Sequence, residues 1–153
     1  MKTWAIAVLL CARAAAQSPP ADAACGPKQQ AFQVIKDRSQ HPTPTPSAGK
    51  ALVYFFGHGM FAVDGKTLGA VTNSYGLVEV DPGEHHFCGW MTGTFGPLKM
   101  YAPSLHSLTA EPGKSYYFEM VDRLYYPFTL ELLDPDEGRY QISRQPFSTS
   151  RPK

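Results

Sequence analysis

The sequence has few cysteines and no stripe of like charge, and each scarcity excludes something. With 14 Lys and Arg against 13 Asp and Glu, charge is balanced and scattered, so the electrostatic footprint of a nucleic-acid binder is missing. No apolar run reaches the roughly 20 residues that a transmembrane helix needs. No Gly-x-Ser-x-Gly elbow surrounds Ser104, Ser107 or Ser115, which leaves a hydrolase nucleophile unsupported. No Gly-rich loop opens a helix, so a phosphate cradle is absent. Asp64, Asp81, Glu84, Glu111, Asp134 and Asp136 all flank turns, where acids serve turn chemistry and solubility rather than paired acid–base work. The expectation is a protein that is not an enzyme and carries no cofactor.

What is present at the N-terminus is a targeting pattern. In "MKTWAIAVLLCARAAAQSPP", Lys2 supplies a positive charge, Trp4 to Ala12 an apolar run of about nine residues, and Ala14-Ala15-Ala16 a small-residue cleavage site. Residues 1–16 therefore read as a signal peptide, with the mature chain periplasmic or secreted. Lipid anchoring is disfavoured, because Cys11 sits inside the apolar run and Cys25 follows "DAA" well beyond it. Removing Lys2 and Arg13 from the 14 basic residues leaves 12 against 13 acidic ones, a net charge of −1. Cleavage also reduces three cysteines to two, and an exported chain with two cysteines pairs them. A Cys25–Cys88 disulfide closes about 63 residues and is worth roughly 4 kcal/mol in the chain-entropy model.

Residues 17–49 read as an extended arm. It holds one strand over 31–36 and the connector "HPTPTPSAG", whose prolines fix φ and disfavour helix in their predecessors. From Lys50 the pattern is all β. "KALVYFFG" is a continuous apolar run of strand length, as in a central strand. "FAVDGKTLGAV" is a hairpin turning at Asp64-Gly65. Pro82-Gly83 and Pro112-Gly113 read as type II turns between further strands. Residues 92–104 form the longest irregular stretch. Asp134-Pro135 offers an N-cap with Pro at the first helical position, and Gly138 limits the helix to a turn or two. The tail 146–153 reads as flexible. The expected fold is an all-β single sandwich of about eight short antiparallel strands, occupying residues 50–145.

Within this pattern, Val63-Asp64-Gly65, Gly69, Pro82-Gly83 and His85 stand where PEGA-type domains carry "VDG", a return-strand Gly, "PG" and a following His. Residues 48–133 resemble that family and, more widely, uncharacterised bacterial envelope proteins and lipoproteins. The resemblance implies a β-sandwich in the cell envelope and supplies no catalytic residues.

The stretch "VDPGEHHFCGW", residues 80–90, poses the sharpest chemical question. In a strand, His85, Phe87 and Gly89 share one face and His86, Cys88 and Trp90 the other. His86 and Cys88 lie about 7 Å apart on one face and could share a metal, with His41, His58, His106 or Cys25 completing it. A disulfide at Cys88 removes that option and leaves His85 beside the turn, its ring bonding a backbone group. The nine Phe, eight Tyr and two Trp are many for this length, and outward tyrosines can simply cover strands beneath the Pro-rich arm. Outward rings such as Tyr101, Tyr116 and Tyr125, with the 92–104 stretch, are the expected contact surface for an envelope protein or a glycan. The expected function is a non-catalytic structural or interaction module. The alternatives are a periplasmic metal-binding protein using His86 and Cys88, or an inhibitor of an envelope hydrolase acting through residues 92–104.

Overall fold

A computed structural model describes residues 21–26, 31–95, 98–101, 103–123 and 126–153. The expected signal peptide lies outside these residues. The described elements are α1 (Ala21–Cys25), β1 (Phe32–Asp37), β2 (Ala51–Val63), β3 (Lys66–Val80), β4 (Gly83–Trp90), β5 (Thr92–Phe95), β6 (Leu98–Tyr101), β7 (Ser104–Ala110), β8 (Ser115–Arg123), β9 (Tyr126–Leu133), α2 (Pro135–Ser143) and β10 (Phe147–Pro152).

The run "ALVYFF" is buried on both faces, because each face of β2 meets a different apolar cluster. Ala51, Val53 and Phe55 join Phe61, Val63, Phe87, Phe118 and Leu130 in the main core. Leu52, Tyr54 and Phe56 pack on the opposite face with Tyr75, Tyr117 and Ile142. Farther along β2, Ala62 meets Cys25, Cys88 and Trp90. β2 is thus the central strand that its uninterrupted hydrophobicity predicts. It pairs antiparallel with β3 from Ala51–Val80 to Val63–Lys66. The turn is the expected Asp64-Gly65, both at positive φ (48° and 77°), as a two-residue hairpin of right-handed strands requires.

The free edge of β2 is shared between two partners. Its first half pairs in parallel with β8, Leu52 opposite Ser115 through Gly57 opposite Met120. Its second half pairs antiparallel with β4, Met60 opposite Trp90 through Val63 opposite Phe87. The exchange occurs at Gly57 to Gly59, where the register with β3 slips. Gly57 takes φ 100°, and a Cβ there would lie 2.8 Å from the Met120 carbonyl oxygen. A bulge bends a strand without ending it, so the hairpin doubles over. Asp81 follows the far end of β3, yet its carbonyl reaches His85, which also grips Asp64 at the near end.

The sheet is all-β as expected, but two details differ. The strands form one mixed eight-stranded sheet, ordered β1-β10-β3-β2-β4-β7 with β8–β9 branching from β2, and β5–β6 form a separate pair. The expected purely antiparallel arrangement is overturned by the β2–β8 and β10–β3 pairings. β8 runs parallel to β2 because the links at Pro82-Gly83 and Pro112-Gly113 step between branches of the doubled sheet instead of closing hairpins, and β10 reaches β3 only after α2. Pro112-Gly113 does make a tight turn, closed by Lys114 N–H donating to Glu111 C=O. The two branches meet again where Leu130 N–H of β9 donates to Ser104 Oγ of β7 at 2.9 Å.

Three further expectations are corrected. Residues 92–104 are largely a hairpin, Thr92 opposite Tyr101 through Phe95 opposite Leu98, rather than irregular. The described part of the arm includes a helical turn, α1, and its β1 is not peripheral. β1 pairs along its full length with β10, formed by the supposedly flexible tail. That tail reads as polar because, beyond Phe147 packing on Tyr75, hydroxyl groups attach it to β3. Ser148 Oγ–H donates to the Tyr75 carbonyl, which leaves Ser74 Oγ–H to donate to Ser148 Oγ at 2.9 Å. Ser150 Oγ accepts from Ala70 N–H. The C-terminal helix is present and capped as expected, Asp134 Oδ1 accepting from Asp136 N–H. It runs past Gly138 because that glycine lets the helix seat on Tyr117: an added Cβ would clash with the ring.

Candidate functional site

Each side chain of "EHHFC" has a defined partner. Cys88 and Cys25 form a disulfide with Cα atoms 5.1 Å apart, fully buried with Ala62 and Trp90. The bond clamps α1 to the back of β4, beside the contact of Gly65 N–H with the Ala24 carbonyl. Cys88 therefore has no thiolate to offer while the disulfide is intact. His86 shares its face, but its N–H donates to Asp64 Oδ1 and its ring lies 3.9 Å from a Glu84 carboxylate oxygen. His106 pairs across from Phe87 and packs edge-on against Phe118 on the opposite face. His58 is exposed on β2, and His41 packs against Tyr75. Among the described residues no three His, Cys, Asp or Glu side chains converge on a point that could hold an ion.

His85 is held by both ring nitrogens. Nδ1 is 2.7 Å from Asp64 Oδ2, and Nε2 is 2.7 Å from the Asp81 carbonyl oxygen. Both partners can only accept, so both nitrogens must donate, which only the imidazolium does. Burial opposes that charge, yet the Asp64 carboxylate and the Asp81 carbonyl outweigh it, and the His85 pKa is raised above its ordinary 6.5. Burial likewise works against ionised Asp64. The His86 N–H and the His85 ring prevail and hold its pKa below the ordinary 3.8. Asp81 also accepts from Lys50 Nζ, and that bond lowers its pKa. The corner thus ties the β2–β3 turn to the far end of β3.

The two shifts fix the pH window. The raised His85 contributes fully below pH 6.5 and loses its contribution as pH rises through its folded pKa. The lowered Asp64 contributes above pH 3.8 and loses it as pH falls through its folded pKa. The pair is strongest between those limits. Asp64→Asn should lower stability by about 1 kcal/mol near pH 5–6, a modest figure because Asp64 is half-exposed. The deficit should shrink above neutrality. Denaturant titrations across pH, with the His85 ring followed by NMR, check this: an unshifted His85 pKa in Asp64→Asn would rule it out.

Of the three tyrosines expected to face a partner, Tyr116 is half-buried against the main core. Its hydroxyl accepts from Glu111 N–H at 2.9 Å and faces the Thr109 carbonyl, so it clasps the β7–β8 turn. Tyr101 belongs to β6, and Tyr125 lies outside the described residues.

A feature that the sequence does not announce lies elsewhere. The Pro-rich connector and α2 face each other across an open furrow on the outer side of β2. One part, about 570 Å³, has Thr43 to Pro46 on one wall and Arg139, Ile142 and Ser143 on the other, with Tyr54 and Tyr117 beneath. These rings stack in parallel at 5.0 Å and are almost wholly covered. Burial pushes the Tyr54 hydroxyl pKa up to about 12. The adjoining part, about 380 Å³, is polar and lined by Arg38, Gln40, His41, Arg144 and Gln145. His41 and Ser143 border both parts. The connector is held in place by the Tyr75 hydroxyl, which donates to the Pro42 carbonyl at 3.1 Å. The alternating prolines signal an extended strap, but nothing in the local pattern shows that α2 will lie opposite.

No helix among the described residues is long and apolar enough to cross a membrane. No family model, curated protein or solved structure matches this chain.

Proposed function

We propose that this chain is an exported, non-catalytic interaction module of the cell envelope, built on a PEGA-like β-sandwich. The observation that carries the reading is the furrow between the proline strap and α2. Its two parts together fall in the size range of small-ligand sites, and its lining offers hydrogen bonds and cations. Export is supported by the fully buried disulfide, which forms and persists in oxidising compartments. Periplasmic and secreted destinations both accommodate it. The PEGA-like reading is supported by the way its signature residues act together: Asp64 of the hairpin turn grips His85 of the "PGEH" stretch. The partner is an envelope protein or a glycan.

Affinity capture from envelope extracts tests this. The same component should be retained by His86→Ala, and lost when furrow residues Thr43, Thr45 and Ser143 are replaced together by Lys. Capture that depends on His86 and added zinc or copper, with free thiols, would replace this reading by the metal-binding one. A second reading, inhibition of an envelope hydrolase, is favoured by the β5–β6 hairpin forming a sheet of its own; its mark is stoichiometric inhibition lost on shortening that hairpin.

A further inference from the structure

We propose that the polar end of the furrow is a binding site for an acidic saccharide, with Arg38 and Arg144 holding its carboxylate. This rests on the interaction-module reading and names the chemical class of its ligand. The two arginines are 106 positions apart in sequence, yet both line one concavity. Neither has a carboxylate within 4.0 Å among the described residues. Nearby acids are already engaged: Asp37 accepts from Ser39 N–H and Oγ–H, and Asp136 is paired with Arg139. Arg144 is steadied by its contact with the Tyr140 hydroxyl at 3.2 Å. In a chain of balanced charge, a concavity with two guanidinium groups that lack a carboxylate partner, a histidine and no carboxylate lining selects for an anion.

The rest of the lining distinguishes a sugar acid from a bare anion or an acidic peptide. Gln40 and Gln145 supply amides beside the arginines, and the buried Gln145 Oε1 has no hydrogen-bond partner in the fold. Turned toward the furrow, that acceptor would take a hydroxyl donor, several of which a sugar carries and a carboxylate ion none. Thr43, Thr45, Ser115 and Ser143 continue the hydroxyl-rich surface along the furrow. A peptide would want an apolar anchor pocket or a free strand edge. Here Tyr54, Tyr117 and Ile142 on the furrow's floor are all at most 4% exposed, the more open apolar groups being Pro44 and Pro46 on the wall, and residues 38–46 form no strand.

The test is calorimetric titration of the intact, disulfide-bonded protein with trigalacturonate, beside maltotriose, inorganic phosphate and a hexaglutamate peptide. Trigalacturonate should bind and weaken several-fold as salt rises from low to physiological strength. Arg38→Gln with Arg144→Gln should reduce its affinity about tenfold or more without shifting the thermal midpoint of the free protein. Maltotriose should not bind measurably, and phosphate should compete only weakly. Absence of trigalacturonate binding, or equal affinity for maltotriose, overturns the proposal. Equal binding of hexaglutamate with the same arginine dependence assigns the site to an acidic peptide instead. If the saccharide fails while envelope capture still depends on the furrow, only the ligand class falls and the module reading stands.

Discussion

Replacing Cys88 by Ser, or reducing the Cys25–Cys88 bond, is expected to lower unfolding free energy by about 2–5 kcal/mol and the thermal midpoint by roughly 10 °C or more. Loop closure over 63 residues accounts for much of that. The rest comes from what the bond holds. α1 has five residues, far too few to persist as a helix alone, and its docking on the Asp64-Gly65 turn depends on the clamp. Its release uncovers Trp90 and Ala62, now 1% exposed, and removes a partner from the Gly65 N–H. Thermal unfolding with and without reductant, alongside a free-thiol assay, measures the effect. An unchanged midpoint with both thiols free would show that α1 contributes nothing to the fold.

Deleting residues 147–153 is the second change with a large expected effect, about 3–5 kcal/mol against a typical total of 5–15. The loss is not of a tail. β10 is the only described partner of β1, and it covers the β3 edge at Tyr75, which is fully buried and packs against Phe147 at 5.5 Å. Its removal unpairs β1 and exposes Tyr75 together with Ser74. It also leaves the Tyr75 carbonyl without the Ser148 donor. Because a truncated chain risks not folding, Ser148→Ala provides the finer measurement. It should cost about 1–3 kcal/mol, the usual penalty for stranding a buried hydroxyl and carbonyl. A truncated protein as stable as the full chain would mean that β10 is peripheral after all.

These two cases show why parts of the fold are legible and others are not. The disulfide and the central strand rest on unambiguous local signals: two remaining cysteines, and six consecutive apolar residues that need cover on both faces. The Asp64-Gly65 turn and the Asp134-Pro135 helix start are equally local, set by φ preference and capping. β10 is hidden because, after Phe147, "STSRP" attaches by hydroxyls, and a polar run is indistinguishable from a loop when only apolar alternation is counted. The doubling of the β2–β3 hairpin depends on Gly57 to Gly59 passing close to Met120 and Trp90, contacts that exist only once distant strands arrive. The parallel β2–β8 pairing follows from that doubling, so no strand pattern could announce it. The corner role of His85 was readable from its place after the Pro-Gly turn, whereas its grip on Asp64 joins positions 21 residues apart. The furrow was least legible, since its walls, residues 38–46 and 139–146, meet only through the tertiary fold.

On the proposed reading, the disulfide and the histidine corner serve architecture and the furrow serves binding. The measurement that tests this most directly is the intact mass of protein exported by its own N-terminal segment, taken with and without thiol alkylation, beside a metal assay. The account predicts a chain beginning at Gln17, two hydrogens light, inert to alkylation and free of stoichiometric metal. Two alkylatable thiols with about one equivalent of zinc or copper would contradict it, and would make His86 and Cys88 a metal site rather than parts of a strand.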